Sequence, residues 1–283
     1  MFWQTTRFQL DLSTPQVMGI LNLTPDSFSD GGRLSNVHSA MAHAEQMLQD
    51  GAHILDVGGE STRPGAAVVP EDVELSRVLP VLKALVKLGI PLSIDTYKPA
   101  VMQVALDLGV DIVNDIWALR QAGAQALVAA HPTCGLCLMH MHREPQTMQS
   151  QTMEGDVLPT VTAFMQERVQ SLMSLGVNRH RIMLDPGIGF GKTVAQNFSL
   201  LSRQSEILDL GFPLLAGWSR KSVLGRVLDT DRLQTNPDQR VVASVTAAVL
   251  AVERGASVVR VHDVKETVQA LKVLHSVGSP RIQ

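Results

Sequence analysis

The chain has 283 residues, 45% of them hydrophobic, and this length and apolar content fit one large domain, 1–283, better than two unrelated domains. Its 24 basic and 27 acidic residues give a net charge of -3, which argues against a general surface for nucleic acid or for an anionic membrane. The N-terminal segment lacks the pattern of a secretory signal, and no apolar run reaches the roughly 18 residues that span a bilayer, so we expect a cytoplasmic protein with no membrane partner.

Eight short apolar runs follow one another along the chain, and each ends at a polar residue before a helix-like stretch begins. In chain order, the runs end at Asn22, at Asp56, at Asp95, at Asn114 and Asp115, at His140, at Asp185, at Ser219 to Lys221, and at His262. Apolar residues three and four positions apart predict helices between the runs. These helices span 39–50, 72–88, 99–108, 160–175, 197–210 and 240–254.

The alternation of apolar run and helix predicts a single (β/α)₈ TIM barrel of the α/β class. Each of the six helices is followed by a glycine, the residue that most readily ends a helix. A helix between two parallel strands makes a right-handed crossover, and eight such units close a barrel. Because barrel enzymes carry their active site at the carboxyl ends of the strands, the polar residues that end the runs are expected to share one pocket.

Two connections on the predicted rim are long and rich in glycine and proline. Loop 1 spans 24–36 and loop 2 spans 58–72. Loops of this kind are candidates for closing over a substrate. A third stretch, 142–156, has two open interpretations, a further lid or a surface excursion.

Cys134 and Cys137 are the only cysteines, so we expect no disulfide framework, which fits a reducing compartment. Their C-x-x-C spacing, with His140 and His142 close behind, invites a metal or redox interpretation. A lone C-x-x-C is weak evidence for either. In one predicted strand, Cys137 and His140 are an odd number of positions apart and point to opposite faces, which favours a structural role.

Two groups of rim residues carry chemistry. Asp95, Asn114 and Asp185 end three runs with short groups that can grip a flat heterocycle bearing ring N–H and amino donors, and Lys221 can reach a ring acceptor. Taken singly, each aspartate could equally cap a helix or pair with a neighbouring cation.

The second group prefers an anion. Ser219 to Ser222 and the pair Arg260 and His262 end the last two runs, where barrels commonly place a phosphate site. Asn22 offers an oxygen ligand for magnesium, and Arg260 offers a fork to phosphate oxygens. Arg220 remains open between this pocket and an ion pair on the outer surface.

Long motifs carry a resemblance to the dihydropteroate synthase family, from about Val17 to the last helix. They are MGILNLTPDSFSDGG (18–32), ILDVGGESTRPGA (54–66), SIDTYKP (93–99), IVND (112–115), CLMHM (137–141), LDPGIGFGK (184–192), SRKS (219–222) and RVHDV (260–264). The resemblance implies a transferase of folate biosynthesis. Such an enzyme condenses (7,8-dihydropterin-6-yl)methyl diphosphate with 4-aminobenzoate to give 7,8-dihydropteroate and diphosphate.

The resemblance also implies roles for particular residues. The pterin would be held by Asp95, Asn114, Asp185 and Lys221, with Met139 against the ring, and Asp95, Asp185 and Lys221 would be catalytic. The diphosphate would be held by Arg260, by His262, and by Asn22 through Mg²⁺. The 4-aminobenzoate pocket would be formed by Thr62, Arg63, Pro64, Phe190 and Ser222. A homodimer is implied by family analogy, as is competition between sulfonamides and 4-aminobenzoate.

The chain departs from the family pattern in a few places. These are His142-Arg143, Ile116-Trp117, Trp218, and the stretch 239–244, which lacks the expected Glu-Arg and Gly-Ser/Thr pattern. They bear on pocket detail and subunit contacts rather than on the reaction.

Two other functions share the barrel. A pterin-binding methyltransferase has the same grip on the pterin but needs a corrinoid partner and no diphosphate site, so SRKS and RVHDV argue against it. A non-catalytic paralogue that binds pterin is disfavoured because every rim residue that the chemistry needs is present.

Overall fold

The structure is a computed structural model that describes residues 1–24, 33–61, 66–144, 147–148, 150–230 and 234–278. Its strands are β1 (Phe2–Gln4), β2 (Gln9–Asp11), β3 (Gln16–Asn22), β4 (Ile54–Gly58), β5 (Leu92–Asp95), β6 (Ile112–Asp115), β7 (Gly135–Met139), β8 (Ile182–Asp185), β9 (Leu215–Ala216) and β10 (Val258–Val261). The predicted strand ends are therefore met within three residues. The largest difference is in β9, which ends at Ala216, three residues before Ser219, whereas β4 continues from Asp56 to Gly58.

Eight of the strands form one parallel sheet in the order β8-β7-β6-β5-β4-β3-β10-β9. A parallel bridge between Leu184 of β8 and Leu214, just before β9, brings the two edges of the sheet together. The sheet is thus a nearly closed barrel, and the predicted (β/α)₈ fold is confirmed. The short strands β1 and β2 form a separate antiparallel hairpin.

Helices surround the barrel. They are α1 (Arg33–Gln49), α2 (Glu71–Leu85), α3 (Pro99–Asp107), α4 (Ala124–Ala130), α5 (Leu158–Ser174), α6 (Val194–Ser202), α7 (Gln204–Leu208), α8 (Ser222–Leu228), α9 (Val241–Glu253) and α10 (Val264–Gly278). In the part of the chain that the structure describes, no helix is long and apolar enough to cross a membrane.

The single helix predicted over 197–210 is wrong, because two helices occupy this stretch. The first, α6, begins earlier because Thr193 caps it: its hydroxyl accepts from the Gln196 N–H, and the Gln196 side chain accepts from the Thr193 N–H. The break falls at Arg203, whose backbone leaves the helical range at φ -106° and ψ 24°. The Arg203 guanidinium there pairs with Asp156 and Glu206.

The barrel interior has a floor at the amino ends of the strands. Its buried side chains are Trp3, Met18, Ile54, Ile112, Cys137, Met183, Leu215 and Val258. Trp3 enters from the β1–β2 hairpin, is fully buried, and donates from Nε1 to the Arg181 carbonyl at 2.9 Å. The floor therefore closes one end of the barrel and leaves the other end to the polar rim.

Candidate active site

Strand alternation explains which residues reach the cavity. Successive side chains of a strand point to opposite faces, so residues two positions beyond the floor point into the same interior. Counting forward from the floor gives Ile20, Asn22, Asp56, Asn114, Met139, Asp185, Arg260 and His262. Asp115 and His140 have the opposite parity, so their side chains point away from the barrel interior toward the surrounding helices. Both are buried there. The rim residues thus separate into inward and outward sets by counting alone.

One cavity of about 540 Å³ at the carboxyl ends of the strands is lined by the inward set except Asp56, which is buried beneath it. Ten of the residues predicted for the site line it: Asn22, Asp95, Asn114, Met139, Asp185, Phe190, Lys221, Ser222, Arg260 and His262. The other three, Thr62, Arg63 and Pro64 of loop 2, lie outside the described residues, as do residues 25–32 of loop 1. In the described part of the chain, the separated strand ends therefore meet around a common cavity.

The deepest part of the site is a network around Arg260. Its Nε donates to Asp56 Oδ2 at 2.5 Å, and its Nη2 donates to Asp95 Oδ2 at 2.6 Å. Asn114 Nδ2 also donates to Asp56 Oδ2, at 3.2 Å. Arg260 therefore pairs with Asp95, which was predicted for the heterocycle, and with Asp56, for which no role was predicted.

Burial makes the carboxylates of this layer hard to ionise. It raises the pKa of Asp95 to about 7, with the Arg260 charge opposing the rise and Asp56 reinforcing it. Burial also raises the pKa of Asp185, although the Gly187 N–H, which donates to Oδ1 at 2.7 Å, opposes this. Asp56 Oδ1 is buried with no hydrogen-bond donor among the described residues. The carboxylate oxygens of this layer exceed the hydrogen-bond donors around them, which suits a ligand rich in N–H groups.

Lys221 overhangs this layer from the start of α8. Its Nζ lies 4.2 Å from the centroid of the Phe190 ring, a cation–π contact. Burial lowers the pKa of Lys221 to about 8, and the charge of Arg260 acts in the same direction. The ammonium can lose its proton near neutral pH unless a ligand or a carboxylate stabilises it.

Phe190 is held by a turn that Lys192 fixes. Lys192 Nζ donates to the carbonyls of Gly187 (2.8 Å), Phe190 (3.2 Å) and His140 (3.4 Å). Burial lowers the pKa of Lys192 to about 7. Because three carbonyls of two connections converge on one amine, the motif GIGFGK positions the Phe190 ring over Lys221.

The SRKS turn resolves the alternative left open for Arg220. Its guanidinium pairs with Asp263 at 2.6 Å and with Asp238 at 2.5 Å, although the residue also lines the cavity. Ser219 Oγ lies 3.0 Å from His262 Nδ1 and accepts from the His262 N–H at 3.0 Å. Arg220 is thus an ion-paired residue at the cavity edge, and His262 is hydrogen-bonded to the turn that follows β9.

The departures from the family pattern fall mostly outside the cavity. Trp218 is buried with its ring 5.4 Å from that of Phe198, in the layer between sheet and helices. Trp117 stacks on Tyr97 with ring centroids 5.4 Å apart. Two residues of the departing stretches, Ile116 and Arg240, line the cavity. The two cysteines are buried and free, with a raised pKa caused by burial, and no cluster of three metal-binding side chains occurs among the described residues.

Sequence reasoning missed two groups of the site. Asp56 was recognised as a strand end but not assigned a role, although it shares the inward parity of Asn114 and Asp185. Arg240 lines the cavity from the turn before α9, and no sequence pattern connects it to the strand ends.

Comparisons with known proteins identify the family of the chain. The family of pterin-binding enzymes matches residues 18–262. The dihydropteroate synthase of Neisseria meningitidis serogroup B is 47% identical over 281 residues, which are 98% of this chain and 97% of that protein. The chain belongs to the dihydropteroate synthase family. It is accordingly a transferase of folate biosynthesis.

Two solved structures of the family have the same fold. The Burkholderia cenocepacia dihydropteroate synthase, complexed with 7,8-dihydropteroate, is 49% identical with a TM-score of 0.89, covering 99% of this chain and 97% of that one. The Xanthomonas albilineans enzyme with 4-aminobenzoic acid is 43% identical with a TM-score of 0.90, covering 99% of both chains.

Proposed function

We propose that the rim cavity condenses (7,8-dihydropterin-6-yl)methyl diphosphate with 4-aminobenzoate, giving 7,8-dihydropteroate and diphosphate. The observation that carries this proposal is the convergence of Asp95, Asn114, Asp185 and Lys221 on one cavity, in a chain of the dihydropteroate synthase family. The acceptors match the N–H donors of a pterin, and the cations match its diphosphate tail.

The pterin ring is proposed to lie in the carboxylate layer. Asp95 and Asp185 accept from its ring N–H and amino groups, and Asn114 can both donate and accept. Lys221 donates to a ring acceptor, and Met139 packs against the ring face. Binding replaces water around buried acceptors with fixed donors, which favours the ionised form of the carboxylates.

The reaction breaks the bond between the pterin methylene carbon and a diphosphate oxygen, and the electron pair leaves with diphosphate. The positive charge that remains spreads into the dihydropterin ring, where Asp95 and Asp185 stabilise it. The arylamine nitrogen then forms the new C–N bond and releases a proton to solvent. A weakly basic arylamine needs no strong general base, because the cation is the electrophile.

The diphosphate is proposed to leave toward Arg260, His262 and Asn22. Arg260 is shared between Asp56 and Asp95, so it connects the ring end of the site to the tail end. Its fork and the His262 ring offer donors for the charge that grows on the departing oxygens.

Magnesium is part of this proposal through Asn22. The ion is expected to be held by one protein oxygen, the diphosphate and water. When bound, magnesium would neutralise charge on the leaving group. Asn22 lines the cavity together with His262, which supports this role.

The 4-aminobenzoate is proposed to lie beside Phe190 and Ser222. Phe190 offers a ring face. Ser222 is the first residue of α8, is exposed, and offers a hydroxyl group. Thr62, Arg63 and Pro64 remain predicted members of this pocket. Competition with sulfonamides is expected because they share the arylamine end of 4-aminobenzoate.

The direct test mixes the purified protein with magnesium, the pterin diphosphate and 4-aminobenzoate. We expect dihydropteroate and diphosphate in equal amounts, and no product when magnesium is chelated. Diphosphate released without a coupled pterin product would instead indicate a hydrolase and contradict the proposal.

A homodimer is proposed as well. Apolar side chains on α9 and α10 are largely exposed, with Val242 at 79%, Val273 at 66% and Val277 at 75%. Exposed apolar surface of this kind favours self-association. Light scattering should give twice the chain mass of 30.7 kDa, and a monomer at micromolar concentration would contradict this.

A further inference from the structure

A cluster of charged side chains is largely buried at the start of loop 2. Lys98, the residue before α3, pairs through Nζ with Glu60 Oε2 and with Glu74 Oε2. The side chains of Lys98, Glu60 and Glu74 are 11%, 9% and 1% exposed. Tyr97 completes the cluster, because its hydroxyl donates to Glu60 Oε1 at 3.1 Å and the centroid of its ring lies 4.8 Å from Lys98 Nζ. The proposed reaction gives no role to these residues.

The cluster joins three elements of the barrel. Glu60 lies two residues after β4, Glu74 is on α2, and Lys98 lies three residues after β5. In the described parts of the chain, Lys98 is the cation that forms an ion pair with either glutamate. Two carboxylates therefore share one ammonium, and the position of Glu60 depends on Lys98.

The backbone next to Glu60 lies directly against α2. Arg77 Nη1 donates to the Gly59 carbonyl at 2.7 Å. A Cβ at Gly59 would lie 2.8 Å from Val78 Cγ1 and 2.9 Å from Glu74 Cγ, so the close approach requires glycine. Glu60 and Ser61, which follow, line the cavity. This part of the cavity wall is thus fixed by α2 on one side and by Lys98 on the other.

The wall at Glu60 and Ser61 leads into the predicted 4-aminobenzoate pocket, because Thr62 follows Ser61 directly in the chain. Resting on the proposed function, we infer that Lys98 is a positioning residue for 4-aminobenzoate: it holds Glu60, and with it this wall, in the conformation that accepts the arylamine. A displacement of about 1 Å in a binding wall is enough to weaken turnover or binding strongly. Buried ion pairs add little net stability, so stability alone does not account for the cluster.

Two competing roles predict different kinetics. A purely structural cluster would stabilise the fold, so its variants would affect both substrates alike. A Glu60 that contacts the substrate directly would act through its own carboxylate, whether or not Lys98 holds it. Positioning by Lys98 instead predicts a selective effect on 4-aminobenzoate that follows the contact between Lys98 and Glu60.

The first test compares Glu60→Gln with its matched control, Glu74→Gln. Each variant removes one negative charge and leaves Lys98 with one carboxylate, but Glu60 lines the cavity and Glu74 does not. We expect Glu60→Gln to raise the Michaelis constant for 4-aminobenzoate about fivefold or more, while kcat and the constant for the pterin diphosphate change less than about twofold. Glu74→Gln should leave all three within about twofold. Equal changes in the two variants, or equal losses for both substrates, would overturn the inference.

The second test separates positioning from direct contact with the double variant Lys98→Met with Glu74→Gln. It removes one charge of each sign, so no buried cation is left unpaired, and it keeps the Glu60 carboxylate at the cavity wall. We expect the Michaelis constant for 4-aminobenzoate to rise as in Glu60→Gln. A constant within about twofold of the wild type would mean that Glu60 acts without Lys98, and would overturn the positioning role.

Lys83→Met, at an exposed position of α2, is the control for loss of a lysine charge and should match the wild type in both Michaelis constants. Melting temperatures measured on the same preparations identify the temperature at which every variant is folded. A wild-type protein that makes no dihydropteroate would instead overturn the proposed function itself.

Discussion

Arg260 is the residue at which the two predicted groups of the site meet. Its position on β10 gives it the inward parity, and the nearest carboxylates in that layer belong to β4 and β5. Asp56 and Asp95 raise the pKa of its guanidinium despite burial, so it stays charged. A buried pair of this kind adds little net stability, because desolvation offsets attraction. The role of Arg260 in this pair is instead to favour the ionised form of Asp95 beside the reacting ring.

Replacing Asp95 with asparagine should reduce turnover more than diphosphate binding. The carboxylate stabilises a cation that exists only after the leaving group departs, so its loss raises the barrier and leaves the anion site in place. We expect kcat to fall about 10²-fold, typical of losing one electrostatic contact to a transition state. The inhibition constant of diphosphate should change only a few-fold. Asp107→Asn, at the exposed end of α3, is the control, and equal losses in both quantities would contradict the assigned role.

The pH dependence of kcat/KM for the pterin diphosphate should report Asp95 and Lys221. The pKa of Asp95 is raised to about 7, so its ionised form, and hence the rate, increases as the pH rises through 7. The pKa of Lys221 is lowered to about 8, so the protonated form, and hence the rate, declines above 8. Because arginine stays charged, the residual activity of Lys221→Arg should lose the alkaline decline and keep the acid one. An alkaline decline that persists in this variant would assign it to another group.

At the scale of elements, the turn after β8 controls the position of Phe190. Gly187 has a left-handed φ of 68°, and a Cβ there would lie 1.8 Å from the His140 carbonyl oxygen. Gly187→Ala should lower the free energy of unfolding by about 3 kcal/mol or more and raise the Michaelis constant for 4-aminobenzoate. Gly155 has a φ of 62° with nothing within 4 Å, so Gly155→Ala isolates the backbone strain, about 1 kcal/mol. Similar melting temperatures for the two variants would show that the contact with His140 is not limiting.

The strand ends were predictable because they follow from alternation and from short apolar runs, which depend on local sequence alone. Asn114, Asp185 and the rest of the inward set needed only the parity of each strand. The pairing of Arg260 with Asp56 was not predictable, because it joins positions 204 residues apart through the closure of the barrel. The break at Arg203 was missed for a similar reason, since a cap at Thr193 and an ion pair to Asp156 override the apolar spacing.

At the scale of the whole molecule, the barrel separates stability from chemistry. The floor is apolar, is filled by Trp3, and is tied to the β8 side through Arg181, whose guanidinium donates to three backbone carbonyls. The rim, in contrast, holds buried carboxylates and cations that burial disfavours. Barrels can carry such groups at the rim because the packed strands form a rigid frame, whichever residues occupy the carboxyl ends of the strands.

Truncating the floor should therefore change stability without changing catalysis. Trp3→Ala removes a fully buried indole and leaves a cavity, which should lower the free energy of unfolding by about 3 to 5 kcal/mol. The rim is reached only through the ends of the strands, so kcat and both Michaelis constants should stay within about twofold at a temperature where the variant is folded. Phe2→Ala, at a residue that is 36% exposed and stacked on His180, is the matched control and should cost far less stability. Denaturant unfolding and steady-state kinetics on the same preparations measure both quantities. A folded Trp3 variant with a tenfold lower kcat would show that the β1–β2 hairpin sets the geometry of the rim. The claim that the floor governs stability and the rim governs catalysis would then be wrong.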